Sequence, residues 1–91
     1  DVLARMLRNL KEIHRSTGDT VRLLRVLNRL VILVPKAWEE HRDRGLAHAE
    51  LGMDSAAALD LATYLQHADD APDRAAIVSR LAGLRRGPRL Q

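Results

Sequence analysis

Histidine is the residue type best equipped for chemistry in this 91-residue sequence, which contains four His and no Cys. His41 and His48 lie two helical turns apart, near Glu40 and Asp43. Zinc sites on helices favour two His at i and i+4 together with a third ligand, and this spacing is wider. The absence of Cys also excludes disulfides, thiolate metal sites and a Cys nucleophile. We therefore expect no metal site and no other cofactor.

A hydrolytic site is equally poorly supported. A Ser–His–Asp relay can be drawn from Ser16, His14 and Asp19, but these residues straddle a predicted helix end. Nothing near them supplies an oxyanion hole or a shaped pocket. The adjacent carboxylates Asp69 and Asp70 fall in a predicted turn, where helix capping is their expected role. We predict no catalytic residues and no enzymatic activity.

Arginine is the other residue type with a defined chemical use, because its planar guanidinium binds carboxylates through paired hydrogen bonds. The net charge of +3 is distributed unevenly. Residues 1–34 carry a net +4, residues 35–71 a net −5 and residues 72–91 a net +4. An acidic middle between basic ends favours electrostatic complementarity within the molecule.

Nucleic acid is an alternative partner for these arginines. One stripe of cations consists of Arg22, Arg25 and Arg29. A basic C-terminal group consists of Arg80, Arg85, Arg86 and Arg89. Phosphate binding needs little more than such charge, but no aromatic residue interleaves with it to stack bases. Weak electrostatic binding of nucleic acid is therefore kept as an alternative. Measuring the binding of a short duplex over a range of salt concentrations would test it.

Helices must position these side chains, because the hydrophobic residues recur at helical spacing and only two residues are aromatic. We predict five helices, over residues 2–17, 20–34, 36–51, 54–68 and 72–86, the last ending before Gly87 and Pro88. Gly18 and Gly52 are placed to end the first and third helices, and Asp19 to cap the second. Asp54 or Ser55 is expected to cap the fourth, which has Leu59, Leu61, Ala62 and Leu65 as core candidates.

The second predicted helix is apolar around most of its circumference, which indicates burial between its neighbours. The longest apolar run, residues 30–34, is far too short to span a bilayer. Residues 89–91 are expected to fray. We predict a cytoplasmic protein with no membrane association.

The chain aligns with itself after a shift of 34 residues, which places Gly18 on Gly52 and Arg8 on Arg42. Small residues at Gly45 and Ala57 would let two antiparallel helices approach closely. This period and this small pair resemble the tetratricopeptide repeat (TPR). The resemblance implies one all-α domain over residues 1–91, an α-α superhelix of two TPR helix hairpins (about 4–37 and 38–71) and a C-terminal capping helix (about 72–86).

The first repeat departs from the TPR pattern, because Lys11 and Leu23 stand where the second has Gly45 and Ala57. We therefore expect its two helices to sit further apart. Two segments, residues 5–11 and 42–46, resemble the C-terminal region of SirB-type proteins, which join a transglutaminase-like domain to a TPR tail. That resemblance implies a longer bacterial protein, an expectation that fits a start at Asp1 rather than Met. Any Cys–His–Asp chemistry would then lie upstream.

In a TPR array the first helix of each repeat lines the concave surface. By that register we predict a protein-binding surface made of Arg5, Arg8, Asn9, Arg42 and Asp43. An alternative is that Arg8 and Asn9 pair with Asp43 or Glu39 and simply hold the repeats together. Both can be true if the pairing prepares the groove. Only Arg8 fits the Lys, Arg and Asn set with which some TPR domains grip a C-terminal carboxylate, so we predict against that clamp.

The predicted function is protein–protein or interdomain recognition through the concave TPR face. The partner would be a peptide or the missing N-terminal domain of the same chain, and the oligomeric state a monomer or weak dimer. An alternative from another class is an accessory tail that shapes the cleft of an upstream transglutaminase-like domain.

Overall fold

The computed structural model describes residues 1–86 as five α-helices with no strand among them. They are α1 (Val2–Ser16), α2 (Thr20–Leu33), α3 (Trp38–Glu50), α4 (Asp54–His67) and α5 (Arg74–Arg86). Each helix packs against the next one along the chain. The all-α fold class and the five helices are confirmed, while the predicted stop at Gly87–Pro88 and the fraying of residues 89–91 lie outside the described residues.

The turns that end α1 and α3 are built identically, 34 residues apart. Gly18 has a φ of 74° and Gly52 a φ of 76°, the left-handed conformation that glycine adopts without steric cost. Asp19 N–H donates to the carbonyl of His14 at 2.9 Å, and Met53 N–H to that of His48 at 2.9 Å. These six-to-one bonds are Schellman motifs, which confirms glycine as the stop signal of both helices.

The starts of the helices agree less well with the sequence prediction. The Asp19 carboxylate accepts from Arg22 N–H and caps α2 as expected. The cap predicted at Asp54 or Ser55 is wrong, since Met53 occupies that position and no side chain caps α4. Helices α3 and α5 each begin two residues later than predicted, because a tight turn precedes each, closed by bonds from Ala37 N–H to Val34 and from Arg74 N–H to Ala71.

Two apolar clusters form the core. The first joins α1, α2 and α3 and consists of Leu7, Val26, Leu27, Leu30 and Ala47. The second joins α4 and α5 through Leu61, Tyr64, Leu65, Ile77 and Leu81, with Trp38 and Leu46 of α3 packed against it. The prediction of Leu59 as a core residue is wrong, because its side chain lies on the outer side of α4 and is 69% exposed.

Helices α3 and α4 approach each other closely at Gly45. A Cβ built there would lie 2.8 Å from Cδ2 of Leu61 and 3.0 Å from Cβ of Asp60. The predicted close approach therefore occurs, but the nearest atoms belong to residues one turn beyond Ala57. Ala57 itself is fully buried. None of the helices described up to residue 86 is both long and apolar enough to cross a membrane.

Candidate protein-binding surface

Helix α1 is bound to α3 by a buried lysine. Lys11 is 6% exposed, and its Nζ donates to Oε1 of Glu40 at 2.7 Å and lies 2.6 Å from Oδ2 of Asp43. Glu40 is itself only 1% exposed. Since a buried charge is costly unless it is paired, these three side chains depend on one another. They form the centre of what we call the inner network.

Two arginines flank this centre on α1. Arg8 Nε donates to Oε2 of Glu40 at 3.0 Å, and Arg15 Nη2 donates to Oδ2 of Asp43 at 3.2 Å. Both arginine side chains are about half exposed, at 46% and 48%. Each buried carboxylate thus meets one buried cation and one cation that reaches it from the solvent side.

The inner network continues from α3 towards α5 through Arg42. Its Nε donates to Oδ1 of Asp43 at 2.9 Å, and its Nη1 donates to Oδ2 of Asp73 at 3.1 Å. The hydroxyl of Tyr64 donates to Oδ1 of the same Asp73 at 2.5 Å, and the Arg42 guanidinium lies 5.5 Å from the Tyr64 ring centroid. We define the inner network as Arg8, Lys11, Arg15, Glu40, Arg42, Asp43, Tyr64 and Asp73.

The pKa values within this network follow from its contacts. Burial would raise the pKa of Asp43, but hydrogen bonds and charge from Arg42 and Lys11 outweigh it and leave the pKa below its ordinary 3.8. The Tyr64 hydrogen bond, with help from Arg42, lowers the pKa of Asp73. Burial and the bond to Asp73 raise the pKa of Tyr64. Burial opposes the charge of Arg42, yet its acidic partners raise its pKa further. Asp43, Asp73 and Arg42 are therefore charged at neutral pH, and Tyr64 is protonated.

Three of the five predicted binding residues meet in this network, namely Arg8, Arg42 and Asp43. Arg5 and Asn9 lie exposed on α1, and neither side chain makes a hydrogen bond or ion pair within residues 1–86. The pairing predicted for Arg8 and Asn9 is wrong in its partners, because Arg8 binds Glu40 rather than Asp43 or Glu39. Cross-repeat ion pairing itself is present, through Lys11, Arg15 and Arg8.

Beside the inner network lies a groove of about 400 Å³ with an apolar floor. Leu23, Leu46 and Ala47 contribute the floor, and Arg15, Arg42, Asp43, Glu50 and Asp73 contribute the polar rim. Leu46 also lines a second hollow of about 510 Å³ along α5, together with Ile77, Arg80 and Leu84. The two hollows adjoin at Leu46, so apolar surface continues from α3 to α5 with charged groups at its edge.

Five members of the network were not among the predicted site residues, namely Lys11, Arg15, Glu40, Tyr64 and Asp73. A usable signal existed at Lys11, which takes the place of Gly45 in the 34-residue alignment. A lysine at a position that packs against the next helix needs a carboxylate, and Glu40 and Asp43 are one turn apart on α3. Asp73 lies in the turn before α5, and no periodic pattern points to it.

A second polar cluster links α3 to α4 and lies apart from this surface. Asp60 accepts two hydrogen bonds from Arg44, at 2.9 and 2.7 Å, and lies 2.9 Å from Nδ1 of His48. Arg44 also reaches Asn28 of α2 at 3.3 Å. His48 is buried in this structural cluster, while the His41 ring lies against Trp38. No group of three or more His, Asp or Glu in the described part of the chain is arranged to hold a metal.

Comparison with known proteins places this architecture. Residues 10–82 match the tetratricopeptide repeat family. The chain is also similar to two curated UPF0162 proteins of Xylella fastidiosa, strains 9a5c and Temecula1, with 45% identity over 65 residues in each case. The aligned residues are 71% of this chain and 23% of each relative, so the chain spans about a quarter of their length. No solved structure matches. With most of its length matched by the repeat pattern, this chain belongs to the tetratricopeptide repeat family.

Proposed function

We propose that the chain binds a protein segment, either a peptide or the surface of another domain, on the face shared by α1, α3 and α5. TPR repeats generally mediate protein–protein interaction, and they are not catalytic units. In this proposal, the two TPR helix hairpins are formed by residues of about 4–37 and 38–71. Residues of about 72–86 form the capping helix. The face in question is then the concave one.

The proposal rests on two features together, namely arginine N–H groups that have no partner and an apolar groove floor. Arg8 donates only through Nε, so its terminal nitrogens remain free of partners within residues 1–86. The side chain of Arg5, one turn earlier on α1, has no hydrogen-bond or ion-pair partner within residues 1–86. Leu46 of α3 is half-buried at the junction of two hollows. A ligand with a carboxylate and an apolar side chain would satisfy both features.

Within the inner network, the buried groups would act as support and Arg8 as a contact. Its carboxylates Glu40 and Asp43 are buried and each is bound by at least two cations. This fixes Arg8, Arg15 and Arg42 in place before any ligand arrives, which lowers the entropic cost of binding. The alternative of repeat-to-repeat pairing and the binding proposal are therefore compatible.

Arg5 and Asn9 allow a clean test, because neither side chain stabilises the fold through a polar contact. A random 12-residue peptide library displayed on phage would first be selected on the immobilised chain. We expect the selected peptides to be enriched in Asp or Glu together with one aliphatic residue. The double variant Arg5→Ala, Asn9→Ala should bind a selected peptide about tenfold more weakly, roughly 1.4 kcal/mol.

The control is Gln66→Ala, an exposed polar residue on α4 that should leave peptide affinity unchanged. Circular dichroism must show equal helicity and melting temperature for all three proteins. If the double variant binds the selected peptides as tightly as the original chain does, the assignment of this face is wrong.

A further inference from the structure

A second groove lies on the opposite end of the array, between α1 and α2. Near the start of α1 it forms a hollow of about 370 Å³ lined by Leu3, Leu7, Arg29, Ile32 and Leu33. Towards the end of α1 it continues as a hollow of about 220 Å³ that shares Leu7 and Arg29 with the first. Leu10, His14, Arg22, Arg25 and Val26 complete its lining. We call the two hollows together the end groove.

The apolar side chains of the end groove are unusually open to solvent. Ile32 is 80% exposed, Leu3 51% and Leu10 41%. Met6 and Ile13, the next apolar side chains around α1, are 56% and 54% exposed. A contiguous exposed apolar surface of this kind marks an interaction site more often than chance. No described helix covers it, because α3 packs on the other side of the hairpin.

The dimensions of the end groove suit a helix. Its lining on α1 runs from Leu3 to His14, which at 1.5 Å per residue is about 16 Å. Its two walls are antiparallel helices, so an added helix would lie between them as α2 lies between α1 and α3. About three turns of helix, with apolar residues at i, i+3, i+4 and i+7, would fill that length.

The charge of the end groove is of one sign. Arg22, Arg25 and Arg29 line it, and no acidic residue lines either hollow. Helix α2 contains no Asp or Glu. Arg22 has a 3.5 Å contact with Asp19, while Arg25 and Arg29 have no polar partner within residues 1–86. Carboxylates beside the apolar stripe of an incoming helix would complement these cations.

We propose that the end groove binds an amphipathic helix of a partner protein, with acidic residues flanking its apolar stripe. This site is separate from the face assigned to peptide recognition and does not depend on it. A narrow groove with an apolar floor fits a helix better than it fits a flat lipid surface. It fits nucleic acid poorly, because its lining contains no Phe, Tyr or Trp on which bases could stack.

The test uses a synthetic peptide of about 14 residues, four turns of helix, with Leu along one stripe and Glu on either side. A second peptide has Lys in place of every Glu. Fluorescence anisotropy of the labelled peptides measures affinity, and circular dichroism measures the helix gained on mixing. We expect the Glu peptide to bind at least about tenfold more tightly than the Lys peptide and to become helical when bound.

Variants of exposed residues locate the site without threatening the fold. Ile32→Ser and Arg25→Glu should each weaken binding of the Glu peptide about tenfold. Leu59→Ser, which replaces an apolar residue on α4 that is 69% exposed, should have no effect. Arg5→Ala with Asn9→Ala should also have no effect, which separates this site from the one proposed above.

Three results would overturn the proposal. The first is equal binding of the Glu and Lys peptides, and the second is an equal loss of affinity in Leu59→Ser and Ile32→Ser. The third is failure of the Glu peptide to bind while anionic phosphatidylglycerol vesicles or a short DNA duplex bind and are released by Arg25→Glu. That result would assign the same arginines to lipid or to nucleic acid.

Discussion

The two helix hairpins of this chain share a 34-residue register but are held together differently. In α3–α4 the contact point is Gly45, where backbone and the side chains of Asp60 and Leu61 nearly touch. In α1–α2 the equivalent position is Lys11, whose side chain leaves its own hairpin and binds Glu40 and Asp43 of the next. One position thus closes a hairpin in the second repeat and joins two repeats in the first. The 34-residue alignment predicts which helices lie near this position. The side chain at the position determines which of those helices it contacts.

The largest effect is expected from crowding the close contact. Gly45→Val would place a Cβ 2.8 Å from Leu61 Cδ2 and 3.0 Å from Asp60 Cβ, so α3 and α4 must separate. We expect a loss of about 3 kcal/mol in the free energy of unfolding, measured by urea denaturation followed at 222 nm. Gly83→Val is the control, since only the flexible end of Arg86 lies near a Cβ there, at 3.7 Å. Equal losses in both variants would contradict the close-contact account.

The joint between the repeats should be the next most sensitive place. Glu40→Ala removes one of the two carboxylates that bind Lys11 and leaves Arg8 without its partner. We expect a loss of about 2 kcal/mol, because Lys11 stays buried with half its acidic partners. Glu39→Ala, the exposed neighbour on the same helix, should change stability by less than about 0.5 kcal/mol. If the joint between the repeats contributes nothing to stability, Glu40→Ala and Glu39→Ala will show the same small change in the free energy of unfolding.

The two glycine turns offer a comparison in which the hairpins should behave alike. Gly18 and Gly52 have nearly equal φ, and a Cβ on either would meet nothing within 4 Å. Alanine at each position should therefore cost only the left-handed conformation, about 1 kcal/mol in each case. Matching urea midpoints for Gly18→Ala and Gly52→Ala would support equivalent turns. A difference well above the error would mean that the hairpins differ there as well.

Acid should weaken the inner network in a defined direction. The folded pKa values of Asp43 and Asp73 lie below the ordinary 3.8, so their contribution to stability is complete only above about pH 5. It is lost as the pH falls through the folded pKa, because the unfolded chain then binds more protons. Unfolding free energies at pH 7, 4 and 3 should fall in that order. Asp43→Asn should make the decline shallower, and an unchanged slope would exclude Asp43 from the acid response.

Much of the fold could be predicted from the sequence because it depends on local signals. Gly18, Gly52 and Asp19 act on their own turns, and apolar spacing identifies each helix without knowledge of its neighbours. The starts of α3 and α5 were less predictable, because a proline there can lie either in the first helical turn or in the turn before it. Pro35 and Pro72 both lie in the turn.

The binding surface was predicted less well, since its contacts join distant residues. Arg8, Arg42 and Asp43 were identified from their register. The partner of Arg8 is Glu40 rather than Glu39, and one residue on a helix rotates the side chain by about 100°. The burial of Leu59 was predicted wrongly because α4 is only weakly amphipathic. Apolar residues lie on several sides of this helix, so their spacing does not identify the buried side. Asp73 became part of the surface only through the path of the turn before α5.

The burial of Lys11 has a practical consequence for labelling. The sequence has only two lysines, Lys11 and Lys36. The Lys11 amine is enclosed by two carboxylates, whereas Lys36 lies exposed in the turn between α2 and α3. Amine-reactive dyes or surface linkers will therefore modify the Lys36 side chain and spare Lys11 for as long as the protein stays folded. Acylation of Lys11, read by mass spectrometry of tryptic fragments, would then report each opening of the joint between the repeats.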